Sequence, residues 1–396
     1  MSKISDRLNR LSYSQTFVMS NKAREMKAAG IDVISLTLGE PDFDVPQKIK
    51  QAAFDAINEN YSHYSPVPGF LELRQAISAK LKRDNNLDYK PTQICVSNGA
   101  KQSIINVLAA IVNDGDEVIL PAPYWVSYDE MVKLVGGTSV FIQTSIDTEF
   151  KITAEQLENA ITPKTKALLY SSPCNPSGSF YTREELEAIA NVMAKYPHVT
   201  IISDEIYEFI NYEGEHVSIA SFPQVYEQTA VINGMSKAFA MTGWRIGYSA
   251  CPEWLASACD KVQGQMTSGA NTVAQRASIT ALQMDPSELQ YMISEFHKRR
   301  DLVFDLMKGI KGFKCNLPKC AFYFFPDVSY YIGKNLNGTE IKDSDDFAMF
   351  LLENAHVGCV GGVSFGSPEC IRFSYAASEA ELREAMRRIK DCLDQF

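Results

Sequence analysis

Histidine is scarce in this chain: five residues, at positions 63, 198, 216, 297 and 356, none near another in sequence. A metal centre needs clustered imidazole, thiolate or carboxylate ligands, and no H-E-x-x-H or paired C-x-x-C spacing supplies them. No metal is therefore expected. The nine cysteines are odd in number and scattered. Cys315 and Cys320 lack a second pair, so free thiols in a reducing cytoplasm are the simplest reading. Positive charge is also short, with 38 Lys and Arg against 48 Asp and Glu and a formal net charge of −10. That balance excludes a broad electrostatic footprint for nucleic acid or anionic membrane. Any acidic ligand would have to be held by a few placed cations.

Long hydrophobic runs are missing as well, so no membrane span is expected. The first residues, Met1 to Arg7, are polar and lack the apolar stretch of a secretory leader, which points to a cytoplasmic protein. Neither G-x-G-x-x-G nor G-x-x-x-x-G-K-[ST] occurs. One familiar pattern does: Gly362-Val363-Ser364-Phe365-Gly366 matches the G-x-S-x-G nucleophile elbow. That elbow needs a helix directly after it. Here Ser367-Pro368 and a strand pattern follow, so Ser364 reads as a loop serine rather than a hydrolase nucleophile.

What the chain does have is apolar content, 45% over 396 residues, enough for two domains. Short β-rich runs recur at Ile94–Val96, Glu117–Leu120, Ser139–Ile142, Ala167–Tyr170, Val199–Ile202, Thr229–Ile232 and Ile246–Tyr248. Helical periods lie between most of them, at 101–112, 124–135, 154–161 and 182–195. Such alternation specifies βαβ units and a mostly parallel sheet covered on both faces, with ligands at the carboxyl ends of the strands. After about residue 287 the character changes. A charged helix (288–309), an apolar run (321–325), a helix (343–354), a strand (370–375) and a helix (378–395) suggest a smaller α+β domain.

The segment Ser236-Lys237-Ala238-Phe239-Ala240-Met241-Thr242-Gly243-Trp244-Arg245-Ile246-Gly247 carries the chemistry. Lys237 follows a buried strand, lies between apolar runs, and has Ser236 and Arg245 close in sequence. Burial beside another cation lowers a lysine pKa and makes the amine a nucleophile able to form a Schiff base.

This segment resembles the cofactor-lysine motif of the class I aminotransferases, the fold-type I pyridoxal-phosphate-dependent family. Five further blocks follow the family order. They are Gly39-Glu40-Pro41-Asp42-Phe43, Tyr64-Ser65-Pro66-Val67-Pro68-Gly69, Asn175-Pro176-Ser177-Gly178, Asp204-Glu205-Ile206-Tyr207 and Ile371-Arg372-Phe373-Ser374-Tyr375. The nearest likeness is to bacterial aspartate aminotransferases. The resemblance implies an α/β fold-type I enzyme with a large cofactor domain over 47–287. The smaller domain would combine an N-terminal arm, 1–46, with 288–396. It also implies transamination between an amino acid, aspartate or glutamate preferred, and a 2-oxo acid such as 2-oxoglutarate. The cycle would be ping-pong, through an aldimine of pyridoxal 5′-phosphate on Lys237.

The family roles have physical reasons in this chain. Asp204 ends a strand, where a buried carboxylate would keep the cofactor pyridine nitrogen protonated. Tyr207 and Asn175 are placed to hydrogen-bond the ring oxygen, although both also suit simple turn residues. Asn98-Gly99-Ala100 leads a strand into a helix N-terminus, which favours an anion, and Ser236 and Arg245 would add phosphate donors. Trp125 matches an indole stacked on the cofactor, with a core tryptophan as the alternative. Arg372 sits in a strand between apolar neighbours. Without an anionic partner its burial would cost about 3–5 kcal/mol, and a substrate α-carboxylate would supply that partner.

By resemblance, Gly39 contacts the same carboxylate through its backbone. Lys101 meets the distal carboxylate of an acidic substrate. Tyr64 reaches the phosphate of a neighbouring subunit, which implies a homodimer with shared sites. The arm at Ser12-Tyr13-Ser14-Gln15-Thr16 departs from the likeness by lacking a lysine or proline. A transaminase for aromatic amino acids, prephenate or kynurenine would share the core residues, and a β-lyase would share Lys237. A regulator that keeps the fold as a sensor would need a DNA-binding domain, which the chain lacks.

Overall fold

The computed structural model describes residues 3–396. All seven strands expected in the first part of the chain form one sheet. In chain order they are β1 (Ile94–Ser97), β2 (Glu117–Pro121), β3 (Thr138–Ile142), β4 (Thr165–Ser171), β5 (Thr200–Asp204), β6 (Thr229–Gly234) and β7 (Gly247–Ala250). Their spatial order is β1-β7-β6-β5-β4-β2-β3. Pairings from β3 through β6 are parallel, and β7 runs antiparallel to both its neighbours. The sheet is thus mostly parallel, as expected.

Period-2 alternation explains why these runs read as continuously apolar. Leu120, Leu169 and Ile202 enter a cluster on one face, packed with Leu108, Val132 and Leu255 from three helices. Ile119, Leu168 and Ile201 enter the opposite cluster with Leu157, Leu186 and Ile189. Both faces are covered, so neither face carries a polar alternation.

The helices expected between strands appear as Ala100–Ile111, Ser127–Leu134, Ala154–Ala160 and Arg183–Met193. Two of them start on capping boxes, Thr153 with Gln156 and Thr182 with Glu185. The expected helix 124–135 begins three residues late. The Tyr124 amide is committed to the Phe365 carbonyl at 3.0 Å, which holds Trp125 in a loop instead. Six helices are not expected from the sequence: Asp6–Asn9, Gln15–Ala28, Gln47–Asn58, Leu71–Asn85, Glu253–Met266 and Thr272–Gln283.

In the last part of the chain the helices Gln290–Met307, Ser344–Asn354 and Glu379–Leu393 and the strand Ile371–Ser374 lie where expected. The apolar run at 321–325 shortens to the strand Tyr323–Phe324. One core joins both ends of the chain, since Met19, Val33 and Leu36 pack with Phe322, Phe324, Phe347, Leu382 and Ile389. The Ser364 segment is a 3₁₀ turn over Val363–Phe365, followed by the strand Ile371–Ser374 rather than a helix, so the elbow geometry is absent. Among the described residues no helix is long and apolar enough to cross a membrane.

Two glycines let this sheet bring a helix N-terminus down onto its strand ends. Gly234 and Gly247 are register partners at the ends of β6 and β7. A Cβ on Gly247 would lie 2.2 Å from the Ala100 amide nitrogen. Gly247→Ala should therefore push the start of helix Ala100–Ile111 away from the sheet, at a cost of about 1–3 kcal/mol. Urea unfolding should show a lower midpoint at unchanged slope. An unshifted midpoint would mean that the close approach is not a constraint.

Candidate active site

The carboxyl ends of β4, β5 and β6 open onto a cavity of about 540 Å³, where a mostly parallel sheet gathers ligands. Ser171, Asp204 and, just past β6, Ser236 and Lys237 form its floor. Gly39 and Glu40 from the N-terminal part and Tyr323 and Arg372 from the C-terminal part close it. Among its lining residues are four cations, Lys101, Lys237, Arg245 and Arg372, and two acids, Glu40 and Asp204. Inside a chain of net charge −10 that is a local reversal of sign, suited to an anionic ligand.

Arg372 is 1% exposed. Its guanidinium lies 4.8 Å from the Tyr323 ring centroid and 5.0 Å from that of Phe365. Nη1 donates to Asn175 Oδ1 at 2.9 Å and Nη2 to the Thr37 carbonyl at 2.6 Å. Nε is buried with no partner. All of its partners are neutral, and burial pulls its pKa below the ordinary arginine value. A carboxylate in the cavity would supply the missing counter-charge.

Asp204 is also buried. Oδ2 accepts from the Tyr128 hydroxyl at 2.6 Å and Oδ1 from the Ile206 amide at 3.2 Å. Burial pushes its pKa up to about 6, against the lowering effect of those two donors and of Lys237. The carboxylate thus lacks a cationic partner at bonding distance, and a neighbouring N–H⁺ would restore its charged form.

Lys237 is partly buried, and its Nζ donates to the Gly39 carbonyl at 2.5 Å. Burial lowers its pKa to about 8; Arg372 and Arg245 push the same way, while Glu40 and Asp204 oppose them. An amine near that value has a sizeable neutral fraction at neutral pH, as a nucleophile requires. Tyr207 stands beside it, with Lys237 Nζ 5.8 Å from the ring centroid. The Tyr207 hydroxyl shares a hydrogen bond of 2.7 Å with that of Tyr323.

Gly39 is required by Tyr323, because a Cβ there would lie 2.1 Å from the tyrosine oxygen. Arg245 adopts a left-handed backbone, φ +58°, a strained conformation of the kind found at functional sites. Its Nη2 donates to the Asn98 carbonyl at 3.2 Å and Nη1 to the Thr242 carbonyl at 2.9 Å. A Cβ on Gly99 would meet Nη2 at 2.3 Å, and no side chain caps the helix that Gly99 begins. Lys101 stacks on Trp125, Nζ 4.8 Å from the ring centroid, and burial lowers its pKa from the ordinary value.

Of the residues singled out in the sequence, Gly39, Ala100, Lys101, Trp125, Asn175, Asp204, Tyr207, Ser236, Lys237, Arg245 and Arg372 line this one cavity. Asn98 and Gly99 lie behind it and hold Arg245. Tyr64 does not line it and is 96% exposed. Tyr128, Tyr323, Thr37 and Glu40 belong to the site but were not singled out. A signal existed for Tyr128, which lies one helical turn past Trp125, and for Glu40, inside the Gly39 block.

A family model for aminotransferase class I and II matches residues 31–389. The chain is 47% identical to a probable aspartate/prephenate aminotransferase of Rhizobium leguminosarum bv. phaseoli, over 98% of both chains. Its fold matches the crystal structure of aspartate aminotransferase from Rhizobium meliloti with a TM-score of 0.96. That match has 41% identity and covers 100% of this chain and 99% of the other. The aspartate aminotransferase from Thermus thermophilus with maleate matches with a TM-score of 0.93 and 39% identity, covering 99% and 100%.

The two shifted groups give the cofactor-free protein a pH signature. Asp204 has a raised folded pKa, so its contribution to stability falls as pH rises from about 4 to about 6. Lys237 has a lowered folded pKa, so its contribution rises only as pH climbs from about 8 towards the ordinary lysine value. Between them lies a window where both charges are held at a cost. Lys237→Met should accordingly stabilise the cofactor-free protein more at pH 7 than at pH 10, measured by urea unfolding. A gain independent of pH would contradict the lowered pKa.

Proposed function

The chain belongs to the class I and II aminotransferases, and on that premise we propose that it is a pyridoxal-phosphate enzyme. It would move the amino group of aspartate or glutamate to a 2-oxo acid such as 2-oxoglutarate in a ping-pong cycle. The observation that carries this reading is one cavity holding Lys237, Asp204 and Arg372, none of them in an ion pair and each with its pKa moved by burial away from the charged form.

The residues present fit the cofactor. Asp204 lacks a cation at bonding distance, and a pyridinium N–H⁺ is such a cation. Arg245, Ser236 and the uncapped start of helix Ala100–Ile111, with Asn98 and Gly99 behind it, make a cradle for phosphate. Trp125 offers a flat face, and Asn175 and Tyr207 offer donors for the ring oxygen. Pyridoxal phosphate, when bound, supplies an aldehyde for the amine of Lys237 and a ring that takes up electron density.

The chain's own residues do the rest. Arg372 fixes the substrate α-carboxylate as a fork, beside the Gly39 backbone, and so orients the Cα–H bond. Lys237 Nζ, freed when substrate takes its place, would accept the proton from the substrate Cα and pass it to the cofactor C4′, and would carry the proton back the other way in the return half-reaction. Asp204 keeps its charge towards the ring through both halves, steadied by Tyr128. Lys101, held over Trp125, meets the distal carboxylate of an acidic substrate.

We read the chain as a cofactor domain over 47–287 and a smaller domain from 1–46 with 288–396, supported by the core that both chain ends share. A homodimer is supported by Tyr64, whose side chain has no role in its own chain's site. A reducing cytoplasmic setting is supported by nine free cysteines. Because the Rhizobium leguminosarum relative is named for prephenate as well, that substrate belongs in any assay.

Borohydride reduction of the cofactor-loaded protein followed by peptide mapping should place the adduct on Lys237, and Lys237→Ala should abolish it. An adduct on another lysine would refute the assignment.

Lys101→Ala should lower kcat/KM for aspartate about tenfold or more, since about 1.4 kcal/mol corresponds to a factor of ten. Alanine and phenylalanine should be turned over almost as before. An equal loss for all donors would mean that Lys101 serves the fold or the phosphate instead.

A further inference from the structure

Outside the cavity lining, a charged side chain sits where the helix pattern calls for an apolar one. Helix Leu71–Asn85 buries Leu73, Ile77 and Leu81, and with them Lys80, which is 1% exposed. A lysine is almost never fully buried without a partner. Here Nζ forms a close ion pair with Glu208 and donates to Asn85 Oδ1 at 2.8 Å. Asn85 in turn donates to the second oxygen of Glu208 at 2.8 Å. Burial works against the charged form of Glu208, yet Lys80 and His216 hold its pKa below the ordinary carboxylate value.

Glu205, Glu208 and His216 lie close enough to resemble a metal cluster, with ligand atoms within 4.8 Å of one another. Their charges are already met from within: Glu205 pairs with His216 at 3.0 Å and Glu208 with Lys80. The group is therefore not short of a cation, and another role has to explain why a buried ion pair stands here.

Backbone pairing suggests that role. The Glu205 amide donates to the Ile232 carbonyl at 2.8 Å, one step past the registered pairs of β5 and β6. Among the described residues no backbone hydrogen bond joins the two segments beyond it. Yet beyond that point stand Tyr207 on one segment and Lys237 on the other. The one hydrogen bond that continues the pairing is Asn233 Nδ2 to Glu208 Oε1, at 2.8 Å. Asn233 also accepts from the Gly234 amide at 2.7 Å, which fixes the exit of the loop towards Lys237.

We propose that Glu208, anchored by Lys80 and bonded to Asn233, is a positioning residue that holds the Tyr207 turn and the Lys237 loop in register. The proposal rests on the reading of Lys237 and Tyr207 as reacting groups. A local departure from the pattern of a helix is expected where function requires it, and Lys80 is such a departure.

The test uses Asn233→Ala, which leaves the ion pair intact. Turnover of the loaded enzyme should fall about tenfold or more while KM for the amino donor stays within about twofold. In cofactor-free protein the Lys237 amine, titrated by its reactivity towards trinitrobenzenesulfonate, should move upward from about 8 as the loosened loop admits water. Glu208→Leu and the double variant Lys80→Met with Glu208→Leu complete the set. Replacing a whole buried pair by apolar groups restores stability, so the double variant should regain the thermal midpoint but not kcat. If kcat returned together with the midpoint, or if Asn233→Ala left kcat and the amine titration unchanged, the pair would be purely structural and the proposal wrong. Should Glu208→Leu fail to fold, the other two variants still decide. Lys237→Ala is run in parallel: full activity in that variant would refute the functional reading rather than this proposal.

Discussion

Arg372 is held between two aromatic rings with only neutral hydrogen-bond partners, and much of the site is arranged around that single guanidinium. Tyr323 forms one face of its slot. The position of Tyr323 then forbids any side chain at residue 39, and the Gly39 carbonyl left in that place accepts the Lys237 amine. Tyr323 also fixes the Tyr207 hydroxyl, and Arg372 itself helps to depress the Lys237 pKa. One desolvated cation thus shapes the surroundings of the amine across the cavity and adds to the fall in its pKa, of which burial is the leading cause. The cost of burying it is one the protein bears until a carboxylate arrives.

The scaffold that permits this is a sheet whose strands end together. Asp204 ends β5 and the Lys237 loop follows the neighbouring parallel β6, so the carboxylate and the amine inherit the spacing of those two strands. The antiparallel β7 brings Arg245 back beside the same loop, and its glycine lets the helix from Ala100 descend close to it. The groups proposed to bind phosphate and the amine proposed to react are therefore positioned by backbone register, which is how a site keeps tolerances of a fraction of an ångström.

Most of this was legible in the sequence, for reasons that differ by residue. Most of the seven strands stood out because both faces are buried, so their residues are largely apolar; the edge strand β3 is half exposed and stood out by its β-branched and aromatic residues. Lys237, Arg372 and Asp204 stood out because charge inside or beside such runs demands an explanation. Tyr323 did not, since in Phe322-Tyr323-Phe324 it reads as one more core aromatic, and nothing local says that its hydroxyl meets Tyr207. Helix Leu71–Asn85 was obscured by Lys80, whose charge sits on the buried face and breaks the periodicity. Tyr64 was marked by resemblance alone. At 96% exposure, it leaves no trace in the packing of its own chain.

The distribution of charge links the whole surface to the cavity. Elsewhere in the chain Arg299, Arg300, Lys151, Lys319 and Arg388 each hold a carboxylate in an ion pair. Among the described residues, none of the four cavity cations does so within 4.0 Å. An acidic protein has carboxylates to spare, so leaving these four unpaired is a feature of where the chain places its acids. An isolated cation pocket in a negative envelope draws small dianions inward and repels them from the rest of the surface. The same arrangement grades its ligands. On the function proposed above, a phosphate and an α-carboxylate would engage Arg245 and Arg372, which are planar forks, whereas a distal carboxylate would meet Lys101, a point charge on a flexible stem resting on Trp125. On that reading the first contact belongs to the cofactor and the second to every substrate, while the third would be rewarded without being required. Acidic selectivity in this site is therefore a preference added to a general amino-acid pocket.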